Sequence, residues 1–271
     1  MKKTKDKLNP NYEITWCPGC PNFLILEASK QALTNLIDKS NYKQTDFCIV
    51  TGIGCHAKIY DYINTSGIYG LHGRVIPTSL GITLGNPKLK VIGFAGDGDT
   101  YAEGMAHFIH AGRYNTDMTL IVHDNQAFSL TTGQPTPTSQ QGYITKSTPY
   151  GEPDNPLNPL KLALASGITF IARCNSKEIS HTTEIIEKAI KHPWFSYVEI
   201  MQDCLIFNKS VNNKDKLMYK VNNKDKKKAE KLAEEYNYQE KKGKIPIGII
   251  YQEKNPTLNE KLKKWKKRQK K

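Results

Sequence analysis

VIGFAGDGDTYAEG at residues 91–104 and MTLIVHDN at residues 118–125 decide the fold. VIGFAG and MTLIVH are continuous runs without polar alternation, so each reads as a strand buried on both faces, as in the interior of a parallel sheet. Residues 102–113 between them can form a helix, which makes strand, loop, helix and strand one parallel βαβ unit. Parallel strands finish at the same edge. GDGD (96–99) and Asp124-Asn125 therefore emerge side by side at the carboxyl edge, where open α/β folds bind ligands.

The same alternation extends in both directions. Toward the N-terminus, residues 23–37 carry apolar side chains at helical spacing, FCIVTG (47–52) reads as a buried strand, and a Gly-rich loop at 52–54 precedes Cys55. A glycine-dense stretch at 67–85, holding LHGR, should contain a short helix. Toward the C-terminus, residues 126–159 are rich in Thr, Ser, Pro and Gly, long enough for a functional loop. LKLALASG (160–167) resumes a helix, TFIARC (169–174) a strand, residues 176–191 a helix opened by Ser176 as N-cap with Glu184 and Glu187 on its polar face, and FSYVEIM (195–201) a strand. The expectation is a doubly wound α/β fold with a mostly parallel sheet. IPIGIIY (245–251) should pack back on the core. VNNKDK, present at 211–216 and again at 221–226, reads as linker drift, and EKLAEEY (230–236) as a solvated helix. The division expected is an N-terminal segment (1–22), an α/β domain (23–207) and a basic C-terminal extension (208–271).

The 271 residues carry a formal charge of +13, but residues 208–271 hold 21 Lys and Arg against 8 Asp and Glu, while 1–207 hold 18 of each. A neutral core gives no electrostatic reason to expect nucleic acid as its ligand. No apolar run approaches the roughly 18 residues that span a bilayer, and the basic start leads into no apolar signal region. No membrane partner is expected, and the reading is a cytoplasmic protein. Six cysteines, two of them in CPGC, fit metal or redox chemistry better than a secreted disulfide framework.

Asp97 and Asn125 would face each other across the two strand ends. Magnesium takes oxygen ligands and commonly shares them with phosphates, so a carboxylate, an amide oxygen and a backbone carbonyl are a suitable protein share. Either segment alone is common as a tight turn or a strand end. GFAGDGD lacks the GxGxxG arrangement of dinucleotide sites, and no GKS or GKT follows to make a P-loop. WCPGC (16–20) offers Cys17 and Cys20 to one metal centre, which by itself fits half a zinc ribbon, a thioredoxin-like redox pair or chance, and zinc would need two more ligands. Cys48 and Cys174 lie inside expected strands, where a cysteine serves as a small hydrophobe, whereas Cys55 and Cys204 lie in loops.

The GDG followed by an asparagine resembles the diphosphate motif of thiamine-dependent enzymes. WCPGC, GIGC (52–55), YINTSGIYGLHGR (62–74), NQAFSLTTGQPTPTS (125–139) and DCLIFN (203–208) together resemble the beta subunits of 2-oxo acid:ferredoxin oxidoreductases. The resemblance covers most of residues 16–208 and implies the thiamine diphosphate-binding fold. It implies Asp97, Asn125 and the Ala127 carbonyl as ligands of Mg2+. It implies Cys17, Cys20, Cys55 and Cys204 as ligands of a 4Fe-4S cluster. Around thiamine diphosphate it places Ile53, Gly54, Cys55 and His56, then His72, then Gly96, Asp97, Gly98 and Asp99, and finally Asn125, Ala127, Ser129, Leu130 and Thr131. Pro21 stands where the family usually has glycine, and Thr132 where many members have lysine, which bears on the substrate side of the cofactor.

The implied activity is oxidative decarboxylation of a 2-oxo acid, with the acyl group passed to coenzyme A and electrons to ferredoxin. The implied partner is an alpha, or fused gamma-alpha, subunit, which would also supply the activating glutamate. No catalytic residue is assigned to this chain. Two other classes share parts of the pattern: a non-oxidative thiamine-dependent lyase or transferase, which needs no iron, and a zinc-ribbon nucleic-acid-binding protein, for which a second CxxC is missing.

Overall fold

A computed structural model describes residues 4–209, 212–240 and 242–268. Its centre is an eight-stranded sheet in the order β2-β1-β3-β4-β6-β5-β8-β7. The strands are β1 (Phe47–Thr51), β2 (Ser66–Tyr69), β3 (Lys90–Gly96), β4 (Met118–Asp124), β5 (Phe170–Asn175), β6 (Ser196–Met201), β7 (Met218–Asn222) and β8 (Ile245–Gln252). All neighbours pair in parallel except β5 and β8. The apolar runs of β3 and β4 sit side by side, with Gly96 opposite His123, so their ends do emerge together.

Alternate strand residues serve two cores. Phe47, Ile49, Ile92 and Phe94 pack under α2 (Asn22–Lys39) and α7 (Ile179–Lys191). Cys48, Val50, Val91 and Ala95 face the other side, with α4 (Val75–Gly85), α5 (Met105–Tyr114), α6 (Pro159–Ala165) and α8 (Lys226–Glu234) contributing to that layer. This is the doubly wound arrangement expected. Because β2 lies on one side of β1 and β3 on the other, the chain reverses its winding between β1 and β3. It turns back a second time at β5, from which it returns to β6 between β4 and β5. Crevices open beyond the carboxyl ends at such reversals.

Several local expectations are corrected. β2, a four-residue edge strand with exposed side chains, was not anticipated within 67–85, although the helix there was. The expected helix from residue 102 begins at Met105, after a π-helical turn at Asp99–Glu103. Ser176 does not cap α7: Glu178 holds the N-cap position, Ser176 Oγ has no hydrogen-bond partner, and Asn175 Oδ1 accepts from Lys177 N instead. The EKLAEEY segment is not solvated, since Ala229, Leu232 and Ala233 of α8 are buried. The second VNNKDK copy is no linker: it ends β7, and its Asp225 caps α8 by accepting from Lys228 N. Val211, which opens the first copy, and residues 269–271 lie outside the described residues.

IPIGIIY forms β8, inserted between β5 and β7 rather than merely resting on the core. Gly248 within it has φ +110, and a Cβ there would sit 2.2 Å from the Val221 carbonyl oxygen, so the close approach of β7 requires glycine. The last helix, α9 (Leu258–Arg268), buries no residue. Among the described residues no helix is long and apolar enough to cross a membrane.

Arg173 of β5 is fully buried beside Glu199 of β6. Its Nε donates to Glu199 Oε2 at 2.5 Å, its Nη2 donates to the Tyr238 hydroxyl at 2.6 Å, and that hydroxyl donates to Glu199 Oε1 at 3.2 Å. Glu199→Gln leaves a guanidinium uncompensated in the core and should destabilise the chain by about 3–5 kcal/mol, whereas Glu184→Gln, at an exposed helix pair, should change stability by less than about 1 kcal/mol. Urea denaturation of the two variants measures the contrast.

Candidate functional site

The crevice beyond β1 and β3 encloses about 470 Å3 of space open to solvent. Every cofactor-binding residue expected from the sequence lines it: Ile53, Gly54, Cys55 and His56 from the loop after β1, His72 from LHGR, 96–99 after β3, and Asn125, Ala127, Ser129, Leu130 and Thr131 after β4. His123, Phe128 and Gln202 complete the lining and were not singled out. His123 was legible as the inward residue at the end of β4, and Gln202 only from the neighbouring strand β6.

Asp99 joins three of these loops. Its Oδ2 lies 3.1 Å from His56 Nε2, and its Oδ1 accepts from Gly73 N. His72 Nδ1 stands 3.7 Å from the same carboxylate and 2.8 Å from Glu103 Oε2. The latter contact satisfies the distance of an ion pair without hydrogen-bond alignment, since Nδ1 is left without a hydrogen-bond partner. The glycines of GDGD serve space rather than backbone freedom. Gly98 has an ordinary helical φ of −63, but a Cβ there would meet the Phe128 ring at 2.1 Å. A Cβ on Gly96 would meet His56 Nδ1 at 2.8 Å.

Asp97 points into a buried hydroxyl cluster. Its Oδ2 accepts from Thr136 Oγ1 at 2.5 Å, and Thr138 Oγ1 lies 2.9 Å from it and 3.0 Å from Asp124 Oδ1. Burial pushes the Asp97 carboxyl up to about 6, against the two threonine hydrogen bonds. Burial, then the charges of Asp97 and Glu199, raise Asp124 further, and Asp124 Oδ2 has no partner. Two buried carboxyl groups thus share the Thr138 hydroxyl, with the charge of Lys214 only partly offsetting the rise of Asp124, and carboxylate oxygens so placed suit a hard dication. Asn125 Oδ1 accepts from Ala127 N at 3.0 Å, turning the Asn125 side chain and the 127 peptide toward the same cleft. His123 is held well below the usual range by burial and by His56, so it is neutral at pH 7; its Nδ1 faces Asn22 Oδ1 at 2.9 Å and its Nε2 is unpaired.

The four loop cysteines gather at the mouth of the cleft. Burial raises the Cys55 thiol to about 11, with neighbouring Cys20, Cys204 and Cys17 adding to the shift. Cys20 is raised by burial and by Cys17 and Cys204. Burial opposes ionisation of Cys204 too, but hydrogen bonds from Ser129 and from the backbone N–H groups of residues 206–208 outweigh it and lower its pKa. Cys48 and Cys174 are buried in β1 and β5, away from this group. Among the described residues no three His, Cys, Asp or Glu side chains are gathered tightly enough to hold a single metal ion.

Because folded Asp97 keeps its proton to higher pH than the unfolded carboxyl, its ionisation reduces stability as pH rises from about 4 to about 6. Asp97→Asn should therefore stabilise the isolated chain at pH 7.5, by on the order of 1–3 kcal/mol, and by much less at pH 4. Denaturant titrations at the two pH values check this.

Residues 52–200 match the family described as thiamine pyrophosphate enzyme, C-terminal TPP binding domain. The chain is 41% identical over 265 residues to a 2-oxoacid:ferredoxin oxidoreductase subunit beta of Sulfolobus sp, covering 92% of this chain and 85% of that one. It is 37% identical over 207 residues to the 2-oxoglutarate oxidoreductase subunit KorB of Mycobacterium tuberculosis, covering 76% of this chain and 54% of that one. Among solved structures, a 2-oxoglutarate:ferredoxin oxidoreductase from Magnetococcus marinus, with 2-oxoglutarate, coenzyme A and succinyl-CoA bound, superposes with a TM-score of 0.91 at 32% identity, covering 98% of this chain and 90% of that chain. GIGC, LHGR, GDGD and the Asn125 loop, which assemble the cleft, all lie within the matched residues 52–200, and the chain belongs to the 2-oxoacid:ferredoxin oxidoreductase family as a beta subunit.

Proposed function

We propose that this subunit holds thiamine diphosphate through Mg2+ in the cleft and a 4Fe-4S cluster on Cys17, Cys20, Cys55 and Cys204 at its mouth. Together with a partner subunit, in the cytoplasm, it would convert a 2-oxo acid and coenzyme A to an acyl-CoA with ferredoxin as electron acceptor. One observation carries the reading: Cys55 lines the same cleft as Asp97 and Asn125. A cluster on Cys55 would border the thiamine site directly. When bound, thiamine diphosphate supplies the nucleophilic carbon for decarboxylation and the cluster takes electrons one at a time.

The chain's own residues bind, orient and exclude water. Asp97, Asn125 and the Ala127 carbonyl would hold Mg2+, its charge offsetting the buried Asp97 and Asp124 carboxyls. Asp99 and His56 fix the loop that carries Cys55, because the Asp99 carboxylate cannot leave His56 without also releasing Gly73. Phe128 and Leu130 cover the side of the cleft. The failure of the cysteines to converge on one ion does not oppose the cluster, which spreads four thiolates over four irons. The zinc-ribbon reading has no such support, and the family membership removes it. The four cysteines also argue against a non-oxidative thiamine lyase.

The carboxylic acid that activates the aminopyrimidine would come from the partner subunit. Exposed Leu71, Leu130, Leu205, Ile206 and Phe207, on the LHGR, Asn125 and Cys204 loops, give that partner an apolar surface. The 2-oxo acid and coenzyme A would bind between the two chains.

Two experiments test the assignment. In anaerobically prepared complex, Ser at Cys17, Cys20, Cys55 or Cys204 should each abolish full iron occupancy, while Cys48→Ala and Cys174→Ala keep it; a full cluster in Cys204→Ser would refute the ligand set. Reduction of a viologen dye by a 2-oxo acid plus coenzyme A should require co-expression with the partner subunit. Turnover by this chain alone would refute the shared site.

A further inference from the structure

We propose that Ser129 is a positioning residue that couples the two cofactor sites: its hydroxyl holds the Cys204 sulfur and sets the reduction potential of the cluster there. The inference rests on the cluster reading above. Ser129 Oγ donates to Cys204 Sγ at 3.3 Å, joining segments 75 residues apart in sequence. The other donors to this sulfur are backbone N–H groups of its own turn, including Phe207 N at 3.4 Å. They come with the fold of the Cys204 loop. Ser129 alone among these donors comes from the thiamine loop, four residues after Asn125 and against the same cleft.

Both ends of the bond are fixed. Asn212 grips the Cys204 peptide from two sides, Oδ1 accepting from Cys204 N at 3.1 Å and Nδ2 donating to Cys204 O at 3.2 Å. The Ser129 loop is closed by Phe128 N to Gln134 O and Gly133 N to Phe128 O, each 2.9 Å. The Ser129 hydroxyl has one proton and two acceptors in reach, the Cys204 sulfur and, at 3.5 Å, the Ala127 carbonyl. A ligating thiolate is the stronger acceptor of the two, because hydrogen bonds to ionised groups are the stronger class. A hydrogen bond to a cluster sulfur withdraws electron density and favours the reduced, more negative cluster, so it raises the potential. Any displacement of residues 125–127 on cofactor binding is also transmitted to Ser129 through two to four peptide bonds. The potential should therefore respond to occupancy of the thiamine site.

The test is a redox titration of the cluster followed by electron paramagnetic resonance, in the anaerobically prepared complex, with iron counted first in every sample. Ser129→Ala and Ser129→Val should each lower the midpoint potential, and Ser129→Thr should restore it toward that of the unaltered protein. Thr and Val have the same shape and differ in the hydroxyl, so packing effects are common to both. Addition of thiamine diphosphate with magnesium should shift the potential in the unaltered protein and in Ser129→Thr but not in the Ala or Val variants. Loss of iron from Ser129→Val but not Ser129→Thr also supports a required hydroxyl. Equal potentials in iron-replete Thr and Val variants, or equal iron loss in both, overturn the proposal. Absence of iron from the unaltered complex overturns the cluster reading, and this inference with it, and the initial iron count shows which of the two has failed.

Discussion

Three loops at the carboxyl edge of the sheet share one carboxylate, that of Asp99. It faces the His56 ring on one side and accepts the Gly73 amide on the other, while its own backbone carbonyl accepts from Gly104 N at the end of the π-helical turn. A Cβ on Gly52 would lie 1.9 Å from Asp99 Oδ2, so the glycine that opens GIGC leaves the space this group fills. GIGC, LHGR and GDGD are therefore one interlocked unit although they lie in separate parts of the chain. Asp97, two residues earlier, is left to face the hydroxyls of Thr136 and Thr138 and the cleft.

Much of this was legible because the decisive signals were local. A buried parallel strand has a continuous apolar run, and two such runs separated by one helix fix where their ends lie. Spacing alone therefore brought Asp97 and Asn125 together. The tie made by Asp99 was not legible as such, since its partners His56 and Gly73 are 43 and 26 residues away and no local pattern records the pairing. The cysteine set came from resemblance. Periodicity could separate Cys48 and Cys174 from the rest, but not assemble the remaining four.

The misreadings share a physical cause. β2 is short, exposed and contains Gly67, whose missing side chain admits the Ile49 carbonyl oxygen of β1. Edge strands of this kind carry little apolar signal. The lysines after residue 208 read as solvated charge, yet Lys220 reaches Glu178 and Asp215 receives Lys177, so charged side chains there also tether the region to the rest of the fold. Burial of only three small or medium side chains suffices to dock α8. At α7 the Ser176 hydroxyl was a plausible cap by type, but the preceding Asn175 had already taken the turn with its side chain.

The position of β8 also governs how the chain can be made. It fills the gap between β5 and β7, so the backbone groups on that edge of β5 find their partners only when residues 245–252 arrive, about 75 positions later in sequence. During synthesis the ribosome exposes a half-sheet with an open, wholly buried-type strand at its border, the kind of edge that recruits foreign strands. Completion of the core at β5 is thus a closure of long sequence separation, the kind of pairing that slows folding and leaves a strand edge open until its partner docks.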